Sequence, residues 1–352
     1  MSDKRVVLHV GAPKSGTTYL QSRLQQNHEA LLAHGVLVPQ ASVEEGSATL
    51  MFRAALDLTG IRLWRGRDYA DGRWDRLVAA TAAHDGTTLI SDEAFVRADD
   101  AAVARAVREL SAEAELHVVW TARDLGRALV STWLENLKHG RAETYADLLE
   151  RARTGTVLRQ FEIDTVLGRW LDALGDPARV HLVTLPPEGG DRSLLWTRFL
   201  EVAGVDPTWV PAEARQANDS IGLPEAQFLR ALNEQVGGAA ERGGRLHGAV
   251  RDVVVGRGLA PRSSTKVRLD PRHEPWVVAR TEVWVDWVRA SGIDVTGDLA
   301  DLTVARLDPA DWVDPDVLQP DALAAADAAL DVVRRARGRG PGGRRAVRGS
   351  RA

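Results

Sequence analysis

VVLHVGAPKSGTTYLQSRL, residues 6–24, is the stretch from which the rest of the chain can be read. Val6, Val7, Leu8 and Val10 make the short, uninterrupted apolar run of a strand buried on both faces, and Gly11 to Gly16 form the turn that follows it. Thr17 and Thr18 then open a helix in which Leu20, Leu24 and Leu31 recur at helical spacing. A loop between a strand end and a helix start aims backbone N–H groups and the positive end of the helix dipole at one point. That geometry selects an anionic group.

The position of the lysine narrows the choice of anion. In the usual triphosphate loop, GxxxxGK[ST], the lysine follows the second glycine. Here Gly11 and Gly16 keep that separation, but Thr17 holds the lysine position and Lys14 lies inside the loop. The string PKSGTTYLQ resembles the 5′-phosphosulfate loop of sulfotransferases that use 3′-phosphoadenosine 5′-phosphosulfate (PAPS). The competing readings are a turn with an incidental lysine and an atypical triphosphate loop.

Composition sets bounds. The 352 residues, 44% hydrophobic, supply ample core, and the absence of cysteine excludes disulfides, thiolate metal sites and cysteine nucleophiles. The N-terminal apolar run is too short for a signal peptide, and no stretch is apolar for long enough to span a bilayer. A cytoplasmic protein without a membrane segment is expected. The net charge of −4 conceals a basic tail: residues 334–352, RRARGRGPGGRRAVRGSRA, hold eight arginines and no acid. The acidic remainder argues against a general nucleic-acid binder. The Gly/Arg-rich tail cannot bury a core and reads as disordered, leaving 1–333 as the folded domain.

Along the chain, further apolar runs predict strands at 35–39, 87–91, 116–122 and 180–185, the second running into Asp92 and Glu93 and the third ending at Arg123. Helices are predicted over 99–112, from about Gly126 through Lys138, and then over 194–203, 224–236 and 275–289. Trp276, Val283, Trp284, Trp287 and Val288 read as a core face of the last. Apolar strands alternating with helices indicate an α/β fold. Its parallel sheet of about five strands is flanked by helices, with a mostly helical C-terminal portion and with ligands bound beyond the strand ends. Segment 41–86 contains helical fragments and the run RLWRGRDYADGRW. Trp64, Tyr69 and Trp74 in that run either grip an acceptor or pack against a solvated connection. A Gly/Arg-rich break at 237–245 reads as a mobile loop.

Arg123 at a strand end and Ser131 eight residues later, near the start of a helix, can hold one phosphate between a forked guanidinium and a hydroxyl. The alternative is an ion pair between Arg123 and Asp124. The pair also resembles the 3′-phosphate motif of PAPS-dependent sulfotransferases. WLENLKHG, the run from VLGRWLDAL to LLWTRFLEVAGV, NDSIGLPEAQFLRALN and GIDVTGDLADL are similar to segments of a bacterial sulfotransferase family, so the resemblance spans about 6–302, with segment 41–86 and the arginine tail outside it. The KTH and RKG motifs of the steroid and phenol enzymes are absent. Their acceptors and base therefore do not carry over.

The resemblance implies a P-loop, nucleotide-kinase-like fold and sulfuryl transfer from PAPS to a hydroxyl or amine of a glycan, lipid or natural-product acceptor, without a metal. Lys14, Ser15, Gly16, Thr17 and Thr18 would hold the 5′-phosphosulfate, and Arg123 and Ser131 the 3′-phosphate. Lys14 and the loop N–H groups would also stabilise charge on the bridging oxygen. The acceptor must lose a proton, and Glu93, placed like the KTH histidine, is the leading candidate for the base; its other reading is a helix-initial carboxylate beside an N-cap at Ser91 or Asp92. His9 reads as a core histidine or a base. Glu135 and Lys138 face the acceptor or form a surface pair, and Tyr19 stacks on adenine or packs the first turn. Two rivals stand beside this reading: a magnesium-dependent kinase, and a non-enzymatic nucleotide-binding module. The sequence leaves the acceptor and the oligomeric state open, with 41–86 and 237–268 as the expected acceptor-facing segments.

Overall fold

The structure is a computed structural model and describes residues 4–40, 50–62, 69–155, 157–214, 221–236, 264–306 and 308–322, with Leu259, Ala325 and Ala329 besides. The expectations for Trp64, for the break at 237–245 and for the arginine tail at 334–352 fall outside these residues.

Six strands form one all-parallel sheet: β1 (Arg5–His9), β2 (Val36–Leu37), β3 (Thr87–Ser91), β4 (Glu115–Ala122), β5 (Val180–Thr184) and β6 (Asp294–Thr296). Their order across the sheet is β2-β3-β1-β4-β5-β6. β1 and β4 occupy the centre, which explains their apolar runs: every residue of β4 after Glu115 is buried. Parallel pairing needs crossovers, and the helices supply them. These are α1 (Thr17–Gln26), α2 (His28–Ala33), α3 (Leu50–Thr59), α4 (Arg73–Ala82), α5 (Asp100–Leu110), α6 (Leu125–Lys138), α7 (Tyr145–Arg153), α8 (Ile163–Leu174), α9 (Ser193–Ala203), α10 (Leu223–Val236) and α11 (Glu274–Ser291). Among the described residues no helix is long and apolar enough to cross a membrane.

The architecture is thus α/β with helices flanking a parallel sheet, and it holds six strands where the apolar runs predicted about five. β6 was missed because it is three residues long, DVT, with Asp294 exposed and the other two half-buried. Too few residues alternate there to register as a strand, and only pairing with β5 defines it. In α11 the buried stripe is Val277, Thr281, Trp284 and Val288, spaced by four, three and four residues. Val283, expected in that core, is 47% exposed. Trp74 is fully buried, with its indole N–H donating to Glu109 Oε2 at 2.6 Å and its ring edge-on to Phe95, so it is a core residue and not an acceptor contact.

The chain gathers into two compact units. The first, 1–129, 149–218 and 269–310, contains the whole sheet. The second, 130–148, 219–268 and 311–352, has its own polar framework. Asn233 donates to the carbonyls of Leu137 and Arg141 at 2.8 Å each, and the Asp316 carboxylate accepts the N–H groups of Tyr145 and Ala146 at the start of α7. Buried Glu225 accepts the Ser264 hydroxyl at 2.6 Å and the Gly222 N–H at 3.1 Å.

Candidate functional site

The loop after β1 continues the strand ladder before it turns. Val10 N–H donates to Val119 O, Ala12 N–H to Thr121 O, and Thr121 N–H to Gly11 O at 2.6 Å. Tied on this side, the backbone enters the left-handed region at Lys14 (φ 63°) and Gly16 (φ 85°). Glycine suits position 16 for its positive φ. A Cβ there would lie 2.3 Å from Leu195 Cδ2, in a conformation L-residues disfavour. α1 starts at Thr17 with no side-chain cap, and Leu20 N–H is the first to find a partner, Gly16 O. Among the described residues, the N–H groups of Thr17, Thr18 and Tyr19 donate to no protein atom. They lie at the positive end of the helix.

Beneath the loop runs a chain of buried polar groups whose direction follows from counting hydrogens. The Ser15 hydroxyl donates to Ala12 O, since a carbonyl can only accept, and the single Thr121 hydroxyl hydrogen is shared between Ser15 Oγ at 2.6 Å and Gly11 O at 3.2 Å. Thr121 Oγ1 therefore accepts from His9 Nε2–H at 3.0 Å, and His9 Nδ1 accepts from Ser91 Oγ at 2.8 Å. His9, Ser15 and Thr121 are fully buried, and burial pushes the His9 imidazole down to about 4, which keeps it neutral. His9 is a brace between β3, β1 and β4. It is fully enclosed and bonded on both ring nitrogens, the environment of a core histidine. Ser15 turns its side chain inward. Thr121→Val keeps the shape but removes the buried hydroxyl that bonds His9 Nε2 and Ser15 Oγ. The variant is expected to lose about 1–3 kcal/mol of stability, measured by urea denaturation.

Arg123 leaves the end of β4 and its Nη1 donates to Lys14 O at 2.9 Å, so the strand-end guanidinium and the lysine loop are adjacent. Its Nε is buried without an acceptor, and burial, with Arg127 nearby, pushes the group down to about 10. The alternative of an Arg123–Asp124 ion pair is not what forms: Asp124 is held by Arg127, through its N–H at 2.8 Å and its guanidinium. Ser131 is half-buried on α6 and belongs to the second unit. In that unit Glu135 pairs with His139 at 3.1 Å.

β3 delivers the carboxylates. Glu93 begins the 3₁₀ turn Glu93–Arg97, half-buried, and its Oε2 accepts Gln21 Nε2 from α1 at 2.9 Å. The N-cap of that turn is Asp92, whose Oδ1 accepts Ala94 N–H at 2.9 Å and whose own N–H donates to His9 O. The cap role thus falls to Asp92, and Glu93 is left with its carboxylate aimed at α1. Burial, and then the neighbouring Glu93, push the Asp92 carboxyl up to about 7. A carboxyl whose folded value exceeds its unfolded one near 3.8 favours folding while protonated, and that contribution is lost as pH rises through about 7. Asp92→Asn should therefore flatten the fall in stability between pH 4 and pH 7 relative to wild type, read as the difference in urea midpoints.

Tyr19 is half-buried, and its hydroxyl accepts Arg23 Nη1 at 3.1 Å, from a guanidinium that also lies over Trp196. Sequence reading passed over Thr121, Ser91 as a histidine partner, Gln21 and Leu195. A signal existed for the first two, since Ser91, Thr121 and His9 are polar residues at or near the C-terminal ends of the three strands. Among the described residues, no group of three His, Asp or Glu side chains is arranged to hold a metal ion. Compared with protein-family models, with characterised proteins and with solved structures, the chain gives no match.

Proposed function

We propose that the chain is a PAPS-dependent sulfotransferase of the P-loop, nucleotide-kinase-like type, acting in the cytoplasm on a hydroxyl or amine of a glycan, lipid or natural-product acceptor. The observation that carries this reading is the adjacency of two anion-binding features. A glycine-flanked loop holds Lys14 and the unpartnered N–H groups of Thr17 and Thr18, and Arg123, with a buried unpaired Nε, reaches across to that loop. An orphaned guanidinium nitrogen beside a turn-and-helix-start loop supports a nucleotide carrying phosphates at both its 5′ and 3′ positions.

When bound, PAPS supplies an activated sulfuryl group on its 5′-phosphate. Lys14 and the N–H groups from Ser15 to Thr18 hold that end and stabilise the negative charge left on the bridging oxygen as the sulfur–oxygen bond breaks. Arg123, at the end of β4 beside the Lys14 loop, holds the 3′-phosphate. Glu93 takes the proton from the acceptor oxygen or nitrogen as it bonds to sulfur in line, with Gln21 fixing the carboxylate.

Calorimetry with 3′,5′-ADP and with ATP and magnesium tests the reading. Binding of 3′,5′-ADP that magnesium does not strengthen and ATP does not displace is expected. Tight binding of ATP with magnesium and none of 3′,5′-ADP would replace the proposal with a kinase. Binding of 3′,5′-ADP without sulfuryl transfer to any acceptor class would leave a binding module.

A further inference from the structure

The strand starts lie at the other edge of the sheet from the Lys14 loop, about 13 Å away along β1. A groove of about 420 Å³ between α9 and β6 opens there, lined by Arg5, His181, Arg198, Glu201, Asp294 and Thr296 among others. Arg5 is its unusual member. Its Nε is buried without an acceptor, and its guanidinium makes no hydrogen bond or ion pair among the described residues. The other arginines with a buried, unpartnered Nε, such as Arg23, Arg179 and Arg230, each bond elsewhere through the same side chain. Arg5 has only the C-terminal end of α9 at Gly204, 3.1 Å from where a Cβ would stand, and the more distant charge of Glu115. A half-buried cation without a direct counter-group is costly, and an anion in the groove removes the cost.

Beside Arg5 lies a line of four titratable groups crossing three strands. Glu115 Oε2 stands 3.6 Å from His117 Nε2, His117 Nδ1 lies 2.9 Å from His181 Nε2, and His181 Nδ1 lies 2.9 Å from Asp294 Oδ2. Asp294 can only accept, so His181 donates from Nδ1 and accepts at Nε2 from His117 Nδ1–H. That leaves His117 Nε2 bare opposite the Glu115 carboxylate. The line therefore has room for one more proton and no second one. What opposes that proton is burial first, then the charge of Arg5, which lowers both imidazoles. The remaining charges facing the groove are on α9: Arg198, already bonded to Asp301 and Thr184, and Glu201 at the exposed rim.

We propose that this groove binds a small oxyanion bearing its own hydroxyl or ammonium donors, with the oxyanion on Arg5 and the donors toward Glu201 and Asp294, and that binding draws one proton onto the His117–His181 pair. The site is independent of the sulfotransferase reading. The oxyanion supplies the counter-charge that Arg5 lacks, and the rim carboxylates select against a bare anion. Cancelling the Arg5 charge lifts its repulsion from the imidazoles.

The test is a titration of the full chain with acetate, glycolate and glycine at up to tens of millimolar, following the His117 and His181 side-chain NMR signals so that binding at the Lys14 loop is not counted. Glycolate and glycine should shift these signals at lower concentration than acetate. Their affinity should rise as pH falls from 7.5 to 5.5, by up to about tenfold per unit where uptake is complete. Arg5→Met should abolish the shifts while 3′,5′-ADP affinity stays unchanged. His117→Gln, followed on His181, should keep binding and lose its pH dependence. No shift in the wild-type chain with any probe overturns the site, as does binding that survives Arg5→Met. A pH-independent affinity overturns the proton linkage, and acetate binding as tightly as glycolate overturns the role of the rim.

Discussion

Glu93→Gln is expected to lower the proposed sulfuryl transfer by about 10²–10⁴, the range a positioned general base supplies, while 3′,5′-ADP binds as it does to the wild type. The substitution keeps the shape of the side chain and an oxygen for the Gln21 hydrogen bond, so the 3₁₀ turn and its Asp92 cap should be unaffected. What is lost is the ability to take a proton. The pH–rate profile separates this from a positioning defect, since a missing base removes the acid limb while a misplaced one keeps it. A Gln variant with near-wild-type turnover moves the role elsewhere. Asp92 is the next carboxylate to examine, because it stands at the same strand end and is raised to about 7, close to an operating pH.

Lys14→Met should cost about 10²–10³ in turnover, the loss seen when one preorganised charge-stabilising donor is removed. Methionine retains most of the unbranched stem, and the left-handed backbone at this position is no more strained for it than for lysine. Protein stability should therefore be close to unchanged, and circular dichroism melting would confirm that the loss is functional. If Lys14 acts on the bridging oxygen as it gains charge, kcat falls more than 3′,5′-ADP affinity does. Equal losses in both would mean that Lys14 merely holds the ground-state anion.

Much of the candidate site could be read in residues 6–24 because it is local. The end of β1, two glycines with positive φ and the start of α1 are consecutive in the chain, so spacing alone positions Lys14 and the N–H groups. The place of Arg123 could also be foreseen, at the end of a strand apolar enough to be central. Its contact with Lys14 O could not, because that depends on β4 lying directly beside β1. The carboxylates show the same limit. DE at 92–93 is evident in the sequence, but which of the two caps the turn depends on Ala94 N–H, and which is restrained by α1 depends on Gln21, 72 residues away.

By itself the sequence determined the elements and the loop: a continuous apolar run makes a strand that must be covered on both faces, and a glycine-bounded turn before a helix makes a concentration of N–H groups. Tertiary structure alone decided the partners. It made His9 a brace under the loop, turned the Ser15 hydroxyl inward, drew Trp74 into the core and recruited three residues at 294–296 as the sixth strand. The physical reason is that a buried polar or aromatic group is fixed by whatever satisfies its hydrogen bonds and fills its surroundings. In a parallel sheet those partners come from strands far apart in the chain.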